Sequence, residues 1–231
     1  MNLNETQIQL FGLAMIFYAV VTLGFKFFFG LIVSEAGKNI DAPIMKLEFV
    51  RKAKDIAAIT ARKPEAQNGL KTFLLFDAFA FVPLYLAFLF LMSFFLSQTA
   101  FDWAKMAAGI VVFISVLAAL ADWTENYYSY KALETVFADS EESVGTIFWA
   151  AHVKWISLFV ATAILSAIFW RGGWWNIAAI ALLAASVTAL LGLIFHHPLI
   201  VLSLAVQLLI LLIVGVAFMF STCRQNFLQN H

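Results

Sequence analysis

The 231-residue chain carries one cysteine, Cys223. A lone thiol rules out an intrachain disulfide and every multi-cysteine metal motif. Charge is equally scarce. Asp, Glu, Lys and Arg make up 12% of the residues against 63% hydrophobic, whereas a soluble domain is nearer a quarter charged and half apolar. That balance excludes an ordinary soluble domain, and it excludes disordered, collagen-like and coiled-coil chains as well. The 14 basic and 14 acidic side chains cancel, so no overall basic field points to nucleic acid. A Gly-rich phosphate loop, an Asp-rich prenyl-diphosphate motif and a Gly-x-Ser-x-Gly nucleophile turn are all missing. No internal repeat is evident, which closes the inverted-repeat route to a transporter assignment. The first basic residue is Lys26, so the first apolar run lacks the positive leading region of a signal peptide and is expected to stay as a span.

What is present is a series of long charge-free runs. A helix crossing about 30 Å of hydrocarbon needs about 20 apolar residues. Thr6 to Phe25, Ala78 to Phe101, Met106 to Ala121 and Trp155 to Trp170 are each free of Asp, Glu, Lys and Arg. Gly172 to Cys223 is also uncharged and as one helix would be about 78 Å long, too much for one crossing. His196-His197-Pro198 is the natural break, because proline disfavours helical geometry in the residue before it. The sequence therefore predicts an all-α bundle of six transmembrane helices in a single domain, residues 1–231. The spans are expected at about 7–33, 73–97, 104–125, 146–170, 174–195 and 199–221.

Eight of the fourteen basic residues, Lys38, Lys46, Arg51, Lys52, Lys54, Arg62, Lys63 and Lys71, fall between the first two spans. That bias makes the 34–70 loop cytoplasmic. With an even number of spans, both termini then lie outside, in a cell membrane expected to be a bacterial inner membrane. Trp103, Trp170, Trp174 and Trp175 fall at the expected outer boundary, where indole rings favour the headgroups. Between Pro43 and Pro64 the loop has a helical pattern. Met45, Phe49, Ala53, Ile56 and Ala57 lie on one side, and Glu48, Arg51, Lys52, Asp55 and Arg62 on the other. An interfacial helix over residues 43–63, lying on anionic lipid, is one reading. Charges that merely set topology are the other.

The polar residues of the spans gather at one depth. Asp77 precedes the second span, Asp122, Glu125 and Asn126 close the third, His152 and Lys154 sit in the first turns of the fourth, and His196 and His197 end the fifth. Asp122 and Lys154 each follow sixteen uncharged residues from the outer boundary, about 24 Å of helix, which places both just within the inner leaflet. Asp122, Glu125 and Asn126 stand at i, i+3 and i+4 and share a face, with Ser129 one turn further. Asp77, Phe81 and Tyr85 recur on one side of the second span, with Pro83 between them. An anionic pair facing Lys154 would lower the desolvation cost of each and enclose a polar pocket. Charges at the boundary, with Lys154 snorkelling to the headgroups, would need no shared site. Ala181, Ala185 and Ala189 form a small-residue row suited to close helix packing. Ser203 and Gln207 are placed for interhelical hydrogen bonds.

Glu141-Glu142 followed by Phe148 and His152 lacks the arginine and the spacing of intramembrane proteases that process prenylated tails. Asp77-x3-Phe81-x-Pro83-x-Tyr85, then Asp122-x2-Glu125-Asn126, then Lys154 resembles a pattern of uncharacterised bacterial multi-pass membrane proteins. The resemblance covers roughly residues 73–160. It implies no activity, only that these residues act as a unit.

The expected function is thus a non-catalytic membrane protein with an inner-leaflet pocket for a small molecule, ion or lipid headgroup. Asp122 and Glu125 would supply negative charge, Lys154 the counter-charge, and Asp77 and Tyr85 the facing wall, with Asn126 and His152 beside them. Asp122 is the expected proton carrier of a transporting version. The alternatives are a lipid-acting enzyme and a structural subunit. No metal or cofactor is implied, and the partners are the lipid bilayer and an unidentified second copy or membrane protein.

Overall fold

A computed structural model describes residues 4–36, 47–52, 55–56, 64–99, 101–134, 140–195, 198–220 and 223–225. The side chains at 26–36, 64–66, 140–142, 195 and 198 are outside the description. So are His196, His197 and most of the 34–63 loop.

The architecture is all-α, and no strand occurs among the described residues. The elements are α1 (Glu5–Ala36), α2 (Pro64–Phe76), α3 (Val82–Ser97), α4 (Ala104–Glu134), α5 (Ser140–Leu165), α6 (Trp175–Phe195) and α7 (Pro198–Ala217). A five-residue π turn, Asp77–Phe81, joins α2 to α3, and a 3₁₀ turn, Ser166–Phe169, extends α5. Six stretches are long and apolar enough to cross a membrane: Glu5–Phe25, Gln67–Ser97, Ala104–Glu134, Ser143–Phe169, Trp175–Ile194 and Leu199–Ala217. They correspond to the six expected spans. Helices suit this solvent because each closes its own backbone hydrogen bonds where no water is available. Their outward faces carry large apolar side chains, such as Phe79, Phe113 and Ile194, each at least 70% exposed, as lipid contact requires. The chain is an integral membrane protein.

Local signals set the helix ends. Asn4 and Gln7 cap α1 reciprocally, each side-chain oxygen accepting the other's backbone N–H at 2.9 Å. Gly172 and Gly173, at φ 87° and 56°, take the left-handed conformation that turns the chain between the fourth and fifth spans.

The described residues fall into two compact units. The first draws on Met1–Leu23, Tyr85–Val116 and Ile156–His231. Aromatic stacking organises it, with Phe11 on Phe95 at 3.7 Å, Tyr18 on Phe88 at 4.1 Å and Trp175 on Phe218 at 4.9 Å. Two helices meet there at Gly12 and Gly215. A Cβ built on Gly12 would lie 2.7 Å from Phe218 Cβ, and one on Gly215 would lie 2.8 Å from the Gly12 carbonyl oxygen. The small-residue row of α6 turns inward, with Ala185 and Ala189 buried. Gln207 of α7 donates to Ser186 Oγ of α6 at 3.4 Å.

The second unit comprises Gly24–Leu84 and Leu117–Trp155. Its core holds Leu47, Val50, Ile56, Leu70, Leu74, Ala132, Leu133, Val144 and Ile147. Lys71 pairs with Glu134 at 3.6 Å, and the Gln67 amide donates to the Leu133 carbonyl, fastening α2 to the end of α4. The amphipathic pattern of the basic loop predicts helix throughout 43–63. Among its described residues, Leu47, Glu48, Asp55 and Ile56 are helical, Phe49 forms a turn, and Val50–Lys52 are not helical. The apolar positions Phe49 and Ile56 are buried as the pattern expects. Glu48, expected among the solvated charges, is buried too.

Candidate functional site

The second unit contains a buried polar network built from four segments. α4 presents its Asp122, Glu125, Asn126 and Ser129 face inward, all four buried, while Trp123 and Tyr127 are exposed. This is the i, i+3, i+4 grouping expected from the helical period. α5 supplies Lys154, 4% exposed. The π turn supplies Asp77, and the loop segment supplies Glu48.

Lys154 is the hub. Its Nζ lies 2.5 Å from Glu125 Oε2, 3.2 Å from Asp122 Oδ1 and 3.2 Å from Glu48 Oε1. An ammonium has three N–H donors, so three carboxylates are what it can serve. Its neighbour Trp155 donates Nε1–H to the other Glu48 oxygen at 2.8 Å, and the ammonium stands 5.1 Å from the Trp155 ring centre. Asn126 extends the network. Its side-chain nitrogen donates to Asp77 Oδ2 at 2.7 Å and, more weakly, to Asp122 Oδ1 at 3.3 Å. Asp77 is thus held by a neutral amide and forms no ion pair among the described residues.

Asp77 occupies its place through an irregular backbone. The Val82 N–H, which α-helical geometry would give to Ala78, goes to the Asp77 carbonyl instead. One extra residue is accommodated in that turn. This corrects the expectation that Asp77, Phe81 and Tyr85 recur on one side at a regular spacing of four. Phe81 stacks on Phe25 at 5.2 Å. Tyr85, expected in the facing wall, is buried in the other compact unit.

His152 is close to Lys154 in sequence but, among the described residues, takes no hydrogen-bonding part in the network. Its Nδ1 lies 2.7 Å from the Phe148 carbonyl oxygen. A carbonyl only accepts, so Nδ1 carries the proton. The ring packs against Phe148 at 4.1 Å and edge-on to Phe49 at 5.4 Å. Arg51 places its guanidinium 5.4 Å from the Phe148 ring centre. From Glu48 to Arg51 the loop segment therefore runs along α5 toward its N-terminus, meeting Trp155, His152 and Phe148 in turn.

Sequence reasoning missed Glu48 and Trp155. The available signal was an acid embedded in an apolar run, Leu47-Glu48-Phe49-Val50, where a solvated face has no use for three apolar neighbours. Among the described residues, no three His, Cys, Asp or Glu side chains converge as a metal-ligand set. No protein-family model, curated protein or solved structure matches the chain.

Proposed function

We propose that this membrane protein uses the Lys154 network to bind positive charge, as protons or one small cation, drawn from the side that carries the basic loop. The observation that carries the reading is the charge balance. Among the described residues, the carboxyl groups of Glu48, Asp122 and Glu125 share one ammonium, and a fourth, that of Asp77, joins them through the Asn126 amide. Fully ionised, the four leave three negative charges uncompensated by Lys154. Three of the four acids and the lysine belong to the apolar spans, where each unpaired ion costs several kcal/mol. Bound protons or a cation remove that cost.

The division of labour follows from the partners. Lys154 holds Glu125, Asp122 and Glu48 together whether or not further charge arrives. Among the described residues Asp77 has the Asn126 amide and no cation in contact, so it is the acid with most to gain from an added positive charge. It replaces Asp122 as the leading carrier, because Asp122 already faces Lys154. The burial of every member favours an occupant of atomic size over a lipid headgroup. Translocation of the same charge is the activity such a site would serve.

The test is thermal unfolding of the detergent-purified protein between pH 5 and 9, at fixed ionic strength, in chloride salts of sodium, potassium or N-methylglucamine. A ligand that binds only the folded state raises stability by mass action. The midpoint is expected to rise with acid, or with a small cation over N-methylglucamine, and this response should shrink in Asp77→Asn and Asp122→Asn. A response identical in the parent and both variants would overturn the reading.

A further inference from the structure

The π turn sits beside the proposed carrier, and its backbone is held by a side chain outside the charged network. Because the Val82 N–H bonds to Asp77, the Ala78 carbonyl loses its α-helical donor. The next N–H along would come from residue 83, which is Pro83 and has none. Within an apolar span no water replaces a missing donor, and an orphaned carbonyl there costs several kcal/mol. Trp123 of α4 fills the gap, its indole Nε1–H donating to the Ala78 carbonyl oxygen at 2.8 Å.

The same stretch of α4 therefore holds two consecutive residues of the neighbouring segment by different means. Trp123 takes the Ala78 backbone, and Asn126, one turn on, takes the Asp77 carboxylate at 2.7 Å. A π turn differs from an α-helix by one inserted residue, and one residue corresponds to about 100° of rotation about the axis. If the turn relaxed to α geometry, Asp77 would swing by about that angle relative to α3 and leave Asn126.

We infer that Trp123 is a positioning residue for Asp77: with Pro83, it fixes the π register that aims the carboxylate into the charged network. The groups around Asp77 are Asn126 and Asp122 of α4, Lys154 of α5 and Glu48 of the loop segment. Among the described residues, Trp123 donates to the Ala78 backbone and to no carboxylate of the network, so it acts through the backbone. The inference rests on the proposed binding reading for its purpose, but its geometric content stands separately.

Two double-mutant cycles, read by denaturant unfolding in detergent, test the geometry. Trp123→Phe removes the N–H and keeps an aromatic ring, and should lower the folding constant at least about tenfold. Pro83→Ala supplies an N–H that can serve the orphaned carbonyl, so the same substitution should cost several-fold less in that background. Asp77→Ala should likewise cost less once Trp123→Phe has released the turn. Trp123→His, which retains a ring N–H, is the conservative rescue. Additive effects in both cycles would overturn the inference, because a merely space-filling tryptophan would couple to neither partner.

The functional arm is the pH and cation response of the unfolding midpoint. Where the parent responds, Trp123→Phe should displace the response and Trp123→His restore it, and an undisplaced response refutes the positioning role. If the parent itself does not respond, the binding reading fails, while the two cycles still decide the geometry. Should Trp123→Phe not fold, the Pro83→Ala/Trp123→Phe double variant carries the comparison with Pro83→Ala. Equal loss of fold there also refutes the proposal.

Discussion

Replacing Lys154 by methionine removes the ammonium and keeps much of the stem. The carboxylates at 2.5, 3.2 and 3.2 Å then lose their shared cation. Removing one partner of a buried ion pair typically costs about 3–5 kcal/mol, because the remaining charge stays buried without compensation. The three contacts share one cation and do not add, so the expected loss is about 4 kcal/mol, or roughly a thousandfold in the folding constant. Denaturant unfolding in detergent at pH 8 measures it. Acidification should recover part of the loss, since protons supply the missing positive charge. Adding Asp122→Asn and Glu125→Gln should recover more, because neutralising both sides of a buried pair is far less costly than orphaning one. A loss below about 1 kcal/mol at pH 8, the value of an exposed pair, would refute the argument that Lys154 binds a buried network.

Asn126→Ala strips the Asp77 carboxylate of its amide donor and should cost about 1–3 kcal/mol by denaturant unfolding, whereas Thr124→Ala on the exposed side of the same helix should cost under about 0.5 kcal/mol. Glu48→Gln keeps an acceptor for the Trp155 indole but withdraws one of the three charges on Lys154. It should weaken the fold measurably, while Asp55→Asn in the same loop should not. Gly12→Ala drives a methyl group to 2.7 Å from Phe218 Cβ and 2.8 Å from the Gly215 carbonyl, and overpacking of this kind should cost about 1–3 kcal/mol of thermal stability. Gln207→Leu breaks only a 3.4 Å contact to Ser186, so a loss near the membrane average of about 0.6 kcal/mol is expected.

The spans were legible because a bilayer makes one crude demand, a long apolar run with few or no charges, and the chain meets it six times. The Asp122, Glu125, Asn126 face was legible because a helix of fixed period carries those spacings to one side. Glu48 was not, because its placement depends on the helix breaking at Val50–Lys52, and the amphipathic pattern of the loop continues through that break. The π turn left one clue in the sequence, Pro83, but proline only removes a donor. Which register the chain adopts depends on Trp123 reaching across from another helix, a tertiary fact. His152 has the chemistry of a site residue, yet the Phe148 carbonyl one turn back claims its proton. Residue type and depth could bring these side chains to one level. They could not decide which hydrogen bond each would make.

The central claim is that the network carries bound positive charge beyond Lys154. Infrared difference spectroscopy of the purified protein tests it most directly, because protonated carboxylic acids and ionised carboxylates absorb separately. The account predicts a carboxylic-acid band near neutral pH that weakens in Asp77→Asn, or a small-cation-dependent carboxylate change that does the same. Carboxylates that stay fully ionised and unaffected by sodium or potassium across pH 5 to 9 would contradict it.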